Sequence, residues 1–156
     1  MASTFVNNLR VAEPADGDAD WGTSTNTSLE LIGEALGVGT EGITTNADTH
    51  TSTVADGATD PARALHLQYT GTLDSACTIT IAPNTLKRVQ IIENATSGGQ
   101  SIIIKQGSGA TITILNGTKR IVYLDGAGSG AAVVDITAAA FGAQAFYVPS
   151  GTTGNR

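Results

Sequence analysis

The feature that most constrains this chain is a series of short β-rich runs separated by glycine, asparagine and aspartate. Within Leu65–Tyr69 and within Ile79–Ile81, apolar residues alternate with polar ones. Such alternation predicts strands that have one buried face and one solvated face. The runs recur at a spacing of roughly 8–14 residues, which favours an antiparallel β-sandwich or jelly-roll-like domain over residues 62–148. The runs are Ala64–Thr70, Cys77–Ile81, Lys87–Ile92, Ser101–Lys105, Ala110–Leu115, Lys119–Leu124 and Ala131–Ile136.

The strongest local signal in this region is Asn116-Gly117, which lies between two β-rich runs. Asparagine and glycine both tolerate a positive φ, as a two-residue hairpin turn requires. The pair therefore predicts a hairpin. Thr96–Gly99 and Asp125-Gly126 are the other candidate turns.

Charge divides the chain into two unlike parts. Residues 1–60 carry ten acids and one base, a net charge of −9, whereas residues 61–156 carry seven bases and four acids, a net charge of +3. The first part also lacks the regular β-rich runs of the second. We therefore expect an N-terminal arm joined to a separate β-domain.

The N-terminal arm is predicted to span residues 1–37. Pro14 disfavours helix at the residue before it, so the chain up to residue 22 is predicted to be extended or irregular. A short helix is predicted from Ser24 to Leu36, where apolar residues recur at helical spacing. Thr23, Ser24 and Thr25 are the candidate caps at its start, and Gly37 is the candidate cap at its end.

Residues 38–61 have no usable apolar period and are rich in Thr, Asp and Gly. A linker is the expected interpretation, although a structureless loop of this length inside a compact domain is unusual. The alternative is a segment that becomes ordered against a partner. Residues 149–156 are predicted to form a poorly anchored C-terminal tail.

Composition excludes several classes of function. The net charge of −6 argues against nonspecific binding to nucleic acid. The sequence has no apolar run of about 20 residues, so membrane insertion is not expected. It also lacks the pattern of a secretory signal at its start, so a soluble, uncleaved protein is expected. A single cysteine cannot form an internal disulfide.

The candidate chemical sites are weak, and no catalytic residue, cofactor or metal is expected. Asp16–Asp20 is similar to the opening of an EF-hand, but Trp21 and Thr27 stand where that loop needs glycine and glutamate. His50 and His66 have no cysteine or carboxylate at ligand spacing. A catalytic pairing of either one with Asp and Ser, or a metal site of His and carboxylate across a trimer axis, stays open as an alternative.

The other candidates have similarly plain interpretations. Cys77 is expected to be buried and inert. The glycine-rich stretch 126–130 is expected to be a mobile hairpin loop, because it lacks the Lys-Ser/Thr of a phosphate loop. The basic pairs Lys87-Arg88 and Lys119-Arg120 are expected on a solvated face, or paired with the acidic arm of a neighbouring subunit.

Two stretches resemble bacteriophage tail-fibre and appendage proteins. The first runs from Asn8 through Pro14, Gly17-Asp18 and Trp21-Gly22 to the short apolar helix. The second runs from Leu86 to Gly107 and on to Gly126. Typical fibres are much longer, with a shaft and a receptor-binding tip. A short appendage, a fibre base or a capsid decoration protein is therefore the form that the resemblance suggests.

The resemblance implies a non-enzymatic virion protein that forms a homotrimer and binds other virion proteins, either of the tail or of the major capsid shell. Oligomerisation would also bury apolar surface that a small domain poor in aromatic residues leaves exposed. The arm is predicted to attach to the virion through its apolar residues. These are Phe5, Leu9, Pro14, Trp21, Leu29, Ile32 and Leu36.

Three alternatives follow from the same residues. The first is a capsid decoration (cement or head-fibre) protein that stiffens the shell. The second is a short adhesin for host surface glycan, which would be bound by the loops near 94–100 and 125–131. The third, an enzyme such as a depolymerase, fits least. It would need paired carboxylates in a cleft, whereas Asp74, Glu93, Asp125 and Asp135 are widely spread in the sequence.

Overall fold

A computed structural model describes residues 4–137 of the chain. One α-helix, α1, spans Trp21–Ala35 and precedes all the strands of this described part. Single turns of 3₁₀-helix occur at Pro61–Arg63 and Gly128–Gly130. The strands are β1 Val38–Gly42, β2 Thr49–Thr53, β3 His66–Thr70, β4 Cys77–Ala82, β5 Arg88–Asn94, β6 Ile102–Lys105, β7 Ile112–Ile114, β8 Lys119–Leu124 and β9 Val133–Asp135.

The strands form two mixed sheets. The five-stranded sheet has the order β1-β3-β5-β8-β9, and the four-stranded sheet has the order β2-β4-β6-β7. Consecutive strands β1 and β2, β3 and β4, and β5 and β6 each place one member in each sheet. The chain therefore winds through three coils, and each coil contributes one strand to each sheet.

Successive coils stack with their strands parallel. In the larger sheet Val38 pairs with His66 and His66 pairs with Ile91, so equivalent positions lie 28 and then 25 residues apart. In the smaller sheet β2 pairs with β4 and β4 with β6, again in parallel. This arrangement is a short β-solenoid, in which each coil contacts only its neighbours.

The last three strands close one end of the solenoid. β8 runs antiparallel to β5, β7 runs antiparallel to β6, and β9 runs antiparallel to β8. The prediction of a mainly β chain with one N-terminal helix is confirmed, but the antiparallel sandwich is wrong for the three coils. Alternation of apolar and polar residues specifies a half-buried strand and is the same for both strand directions.

The core lies between the two sheets and is built from alternate residues of each strand. Leu67 and Tyr69 of β3 face Ile79 and Ile81 of β4, and all four are fully buried. His66 and Gln68 lie on the other side of β3 and are only partly buried. Each of the seven predicted β-rich runs overlaps one of the strands β3 to β9, although β4 and β5 extend one and two residues past the predicted runs.

The segment expected to be a linker, residues 38–61, contains β1 and β2 and forms the first coil. Its inward positions on β1 are Gly39 and Glu41, which pair with the buried Leu67 and Tyr69. On β2 they are His50 and Ser52. Because these four residues are small or polar, the coil has strand geometry without the apolar alternation that identifies strands in a sequence.

The Asn116-Gly117 turn differs from the predicted hairpin. Thr118 N donates to Leu115 O at 3.1 Å, so a turn does form, and Gly117 has a φ of 70°. Asn116 is not among the described residues with positive φ, whereas a type I′ hairpin turn needs positive φ at both central residues. The strands on either side of this turn do not pair with each other: the turn connects β7 of the four-stranded sheet to β8 of the five-stranded sheet.

The helix begins earlier than predicted. Asp20 precedes its first residue and makes no side-chain capping hydrogen bond, so Thr23, Ser24 and Thr25 lie within the helix. Beyond its C-terminus, Gly37 N donates to Glu34 O at 3.0 Å. The predicted end of the β-domain after residue 137 and the predicted tail at 149–156 lie outside the described residues.

Buried polar side chains hold the corners of the coils. Asn94, fully buried at the end of β5, donates through Nδ2 to Gln100 O at 2.9 Å and to Ile114 O at 3.0 Å. Its Oδ1 accepts from the backbone N and the hydroxyl of Thr96. Gln106 likewise donates to Leu86 O and accepts from Gly126 N. These bonds satisfy backbone groups that leave the sheets at each corner.

The Asn94 side chain gives a direct test of this role. Asn94→Ala is expected to lower the free energy of unfolding by about 2–4 kcal/mol, because it leaves two carbonyl groups and one backbone N–H without their partner. Urea denaturation followed by circular dichroism measures the change. Asn26→Ala, at an exposed helix position, is the control and is expected to shift stability by less than about 0.5 kcal/mol. Equal effects of the two variants would contradict the assignment.

Candidate functional site

The predicted attachment arm begins with a segment that folds back on itself and on the helix. Thr4 and Glu13 form an isolated antiparallel bridge, with N–O distances of 3.2 and 2.9 Å. Ser28 of α1 donates its hydroxyl to Ala12 O at 3.1 Å. Residues 4–16 therefore pack on one another and on the helix and do not project freely.

The same segment also contacts the coils. Arg10 Nε donates to the Asp56 carboxylate at 2.6 Å, and Gly57 N donates to Arg10 O at 2.8 Å. The Phe5 ring lies so close to Gly57 that a Cβ there would come within 2.6 Å of it. Lys87 N donates to the Asn8 side chain at 3.0 Å. Phe5 is thus held by its own chain, and Leu9 and Pro14 are also partly buried.

The helix presents the other predicted attachment residues to solvent. Ser28, Leu31 and Ala35 are its buried positions. Trp21, Leu29, Ile32 and Leu36 are exposed by 64, 62, 37 and 75 %. Their spacing of 8, 3 and 4 residues places them along one side of the helix. We call these four residues the apolar helix face.

Four large apolar side chains along one side of a helix differ from scattered exposed residues. Single exposed leucines are normal on a protein surface, whereas contiguous apolar patches mark interaction sites. The structure thus divides the seven predicted residues into two groups. Phe5, Leu9 and Pro14 lie in the segment that packs on the chain itself, and the apolar helix face is available to a partner.

A second cluster lies inside the first coil, and no pattern in the sequence predicts it. Glu41 on β1 points inward and accepts from His50 Nε2 on β2 at 2.7 Å. Its other carboxylate oxygen accepts from the Ser52 hydroxyl. The ring of Tyr69 meets His50 edge to face, with centroids 6.3 Å apart. Glu41, His50 and Ser52 thereby connect the edge strands of the two sheets, and we call them the polar clasp.

The geometry of the polar clasp suits a structural role. In a Ser-His-acid relay the serine hydroxyl donates to the histidine, but here Ser52 donates to Glu41 and the carboxylate bridges both partners. Burial is the main cause that raises the pKa of the Tyr69 phenol far above its ordinary value. Tyr69 therefore stays protonated next to the clasp at neutral pH.

The second histidine also has a carboxylate partner. His66 on β3 lies 2.8 Å from Glu93 on β5, and Lys119 on β8 lies 3.1 Å from the same carboxylate. The hydrogen bond from Lys119 is the largest cause that lowers the pKa of Glu93. The parallel pairing of β3 with β5 creates the His66 contact, whereas the His50 contact joins β1 and β2 of two different sheets, so spacing along the sequence could not indicate either one.

The remaining basic residues of the two pairs are also mostly engaged. Arg120 lies 3.3 Å from Asp135, and Arg88 donates to Arg63 O at 3.1 Å. Burial lowers the pKa of Arg88 to about 10, which leaves the guanidinium charged at neutral pH. Lys119 and Arg120 therefore have carboxylate partners within their own chain, and Arg88 is bonded to backbone carbonyl groups. All three side chains are thus less available to the acidic arm of a neighbouring subunit.

The other candidate sites have structural explanations. Within residues 4–137, no group of three or more His, Cys, Asp or Glu side chains is placed to hold a metal ion. Asp18 accepts a hydrogen bond from Asp20 N at 3.2 Å, as expected for a turn. Cys77 is fully buried, and burial raises the pKa of its thiol.

The glycine-rich stretch connects β8 to β9 as a hairpin loop, and hydrogen bonds hold it at two points. Gly128–Gly130 forms a turn of 3₁₀-helix, and Ser108 N donates to Ser129 O at 2.8 Å. Asp125 accepts from Ala127 N and Ala132 N through one carboxylate oxygen. These contacts attach the loop to residues 107–109 rather than leaving it free.

Comparisons of the chain with protein-family models, with curated proteins and with solved structures found no match. Across the described range 4–137, α1 is too short and too polar to cross a membrane, and there is no other helix long enough.

The polar clasp predicts a local change in stability. Glu41→Ala is expected to deprive His50 and Ser52 of their common acceptor and to loosen β1 and β2, while the later coils keep their contacts. Hydrogen–deuterium exchange is expected to show faster exchange in residues 38–54 and unchanged exchange in β5 and β6. Thr40→Ala, next in sequence and exposed, serves as the control. Equal acceleration in all coils would show that the clasp does not act locally.

Proposed function

We propose that this chain is a structural component of a bacteriophage virion, a short tail-fibre or tail-appendage protein. Its N-terminal segment and helix attach to another virion protein, and its β-domain associates as a homotrimer. The observation that carries the proposal is the apolar helix face, which leaves Trp21, Leu29, Ile32 and Leu36 unpartnered beside a well-packed core. Such a face is typical of a docking surface for a partner protein.

The division of the N-terminal region supports this role. Phe5, Asn8 and Arg10 fix the first segment to the coils. These contacts restrict the position of the helix that follows. A docking helix that is already positioned loses less conformational freedom on binding than a free arm does. We therefore assign attachment to the helix and positioning to Phe5, Leu9 and Pro14.

The resemblance of residues 8–36 and of the β-rich stretch to tail-fibre proteins favours the tail as the location. Capsid decoration is the second candidate, because the described part of the solenoid has only three coils and forms no long shaft. In either location the protein is expected on the virion surface, with no role for catalysis or a cofactor.

The two loops named for the glycan-binding alternative do not form a common site. Loop 94–100 follows the last residue of β5, whereas loop 125–131 follows β8, which runs in the opposite direction. Arg88 pairs with Leu124 and Glu93 pairs with Lys119. The two loops therefore lie at opposite ends of these strands and do not form one binding site together.

Purified particles test the location. Quantitative mass spectrometry of the phage that encodes this chain is expected to find tens of copies per virion, as for a tail component. Hundreds of copies would instead assign the protein to the capsid, and absence from purified particles would overturn the proposal.

The apolar helix face is tested by surface variants in the same particles. Leu29→Ser combined with Leu36→Ser is expected to reduce incorporation by at least tenfold, because both side chains would contact the docking protein. The control is Thr23→Ser combined with Glu30→Ser, at exposed positions of the same helix. Circular dichroism is expected to show both variants folded, since surface changes cost within about 0.5 kcal/mol. Normal incorporation of the leucine variant would contradict the attachment role.

The trimer is tested separately in solution. Sedimentation equilibrium of the purified chain is expected to give three times the mass of 15.8 kDa. The leucine variant is expected to give the same result, because the helix face is assigned to attachment. A monomer at all concentrations would contradict the oligomeric part of the proposal and leave the attachment test unaffected.

A further inference from the structure

The turn between β7 and β8 contains the one Asn-Gly pair of the sequence, Asn116-Gly117. In such a pair the backbone nitrogen of the glycine can attack the amide carbon of the asparagine side chain, because glycine has no Cβ to crowd the approach. The attack forms an N–Cγ bond, which closes a succinimide ring, and breaks the Cγ–Nδ2 bond. The amide group takes up the proton of the glycine nitrogen and leaves as ammonia. Water then opens the ring and gives aspartate or isoaspartate.

Both reacting groups are engaged in hydrogen bonds. Gly117 N, the nucleophile, donates to Asn94 O at 2.9 Å. Asn116 Nδ2, the leaving group, donates to Thr96 O at 2.6 Å. The glycine nitrogen has to give up its proton to attack, and a carbonyl oxygen that accepts this proton makes it harder to remove. The Asn116 amide is likewise fixed to another residue and is not free to rotate over its own backbone.

These two bonds belong to the corner that Asn94 organises. The backbone of Asn94 is bonded to the turn on both sides, because Asn94 N also donates to Thr118 O at 3.0 Å. Its side chain holds Ile114 O, which precedes the turn, and accepts from the backbone N of Thr96. The turn must therefore separate from residues 94–97 before the pair can react. Such local openings cost less free energy than complete unfolding.

The product does not suit the closed corner. An aspartate at position 116 is acceptor-only when ionised, so it has no donor for Thr96 O, where Asn116 Nδ2 now donates. An isoaspartate also adds a carbon atom to the backbone within the turn. A corner that has opened and reacted is thus unable to close again with the same hydrogen bonds.

We propose that Asn116-Gly117 is a deamidation site gated by the Asn94 corner. The closed corner protects the pair, and local opening of the turn from residues 94–97 converts Asn116 irreversibly to aspartate and isoaspartate. Water is the only co-reactant. The inference does not rest on the proposed function.

Mass spectrometry of the full-length chain tests the protection. The chain is incubated in H₂¹⁸O, once folded and once unfolded in urea, and the tryptic peptide 106–119 is then quantified with an amide or an acid at residue 116. The ¹⁸O label separates conversion during the incubation from conversion during digestion. The folded chain is expected to deamidate at least tenfold more slowly than the unfolded one. Equal rates in the two samples would overturn the proposal.

Two matched variants test the gate. Asn94→Ala is expected to speed deamidation of the folded chain at least fivefold. Gln106→Ala is the control, because Gln106 is also a buried amide but holds a different corner through Leu86 O and Gly126 N. It is expected to change the rate by less than twofold. Equal acceleration by both variants would assign the reaction to general loss of stability and contradict the gate, as would no acceleration by Asn94→Ala.

The natural chain provides a test that does not depend on how the variants fold. Local opening exposes little surface, so its free energy depends only weakly on urea. The deamidation rate at Asn116 is therefore expected to stay within twofold between buffer and urea concentrations well below the unfolding midpoint. A rate that rises in proportion to the unfolded fraction over this range would show that complete unfolding is required and would refute the local gate.

Discussion

The parallel register between successive coils is the constraint on which the rest of the structure depends. Each inward position stacks on an inward position of the next coil, as Glu41 does on Tyr69. Each outward position likewise stacks on an outward one, as His66 does on Ile91. A shift of one residue would exchange the buried face for the solvated one. Buried side chains such as Ile79 and Ile104, each contributing roughly 1.5–3 kcal/mol, therefore specify the register as well as the stability.

The two ends of this stack are finished by different means. At one end the edge strands are β9 and β7, which are joined to their sheets by antiparallel pairing; at the other end, in the described part of the chain, they are β1 and β2, which are joined by parallel pairing. An open edge attracts further strands, and inward-pointing charged residues are one way in which proteins prevent this. Glu41 and His50 point inward on the two edge strands and bind each other. The polar clasp thus stabilises the first coil and also makes it a poor template for another coil.

The sequence predicted the parts of the fold that depend on local patterns. Alternation located β3 to β9, and helical spacing located α1 to within three residues of its start. Strand direction, by contrast, depends on which strands pair across 25 or more residues, and nothing in Leu65–Tyr69 distinguishes a parallel from an antiparallel neighbour. The first coil was missed because Gly39, Glu41, His50 and Ser52 occupy its inward positions. The polar clasp was missed for the same reason, since its members meet only after β1 and β2 join separate sheets.

The apolar helix face could be predicted as a set of residues, but its separation from Phe5, Leu9 and Pro14 required the structure. In sequence all seven are apolar residues of one acidic arm, and only the contacts of Arg10 and Asn8 with the coils show which of them are already engaged. The four helix residues contribute at most roughly 1.5–3 kcal/mol each on burial. That gain is comparable to the cost of association, about 4–15 kcal/mol. The proposed attachment would therefore need additional contacts around the helix, and the exposed acids next to it, Asp20 and Glu30, would suit a partner with a basic rim.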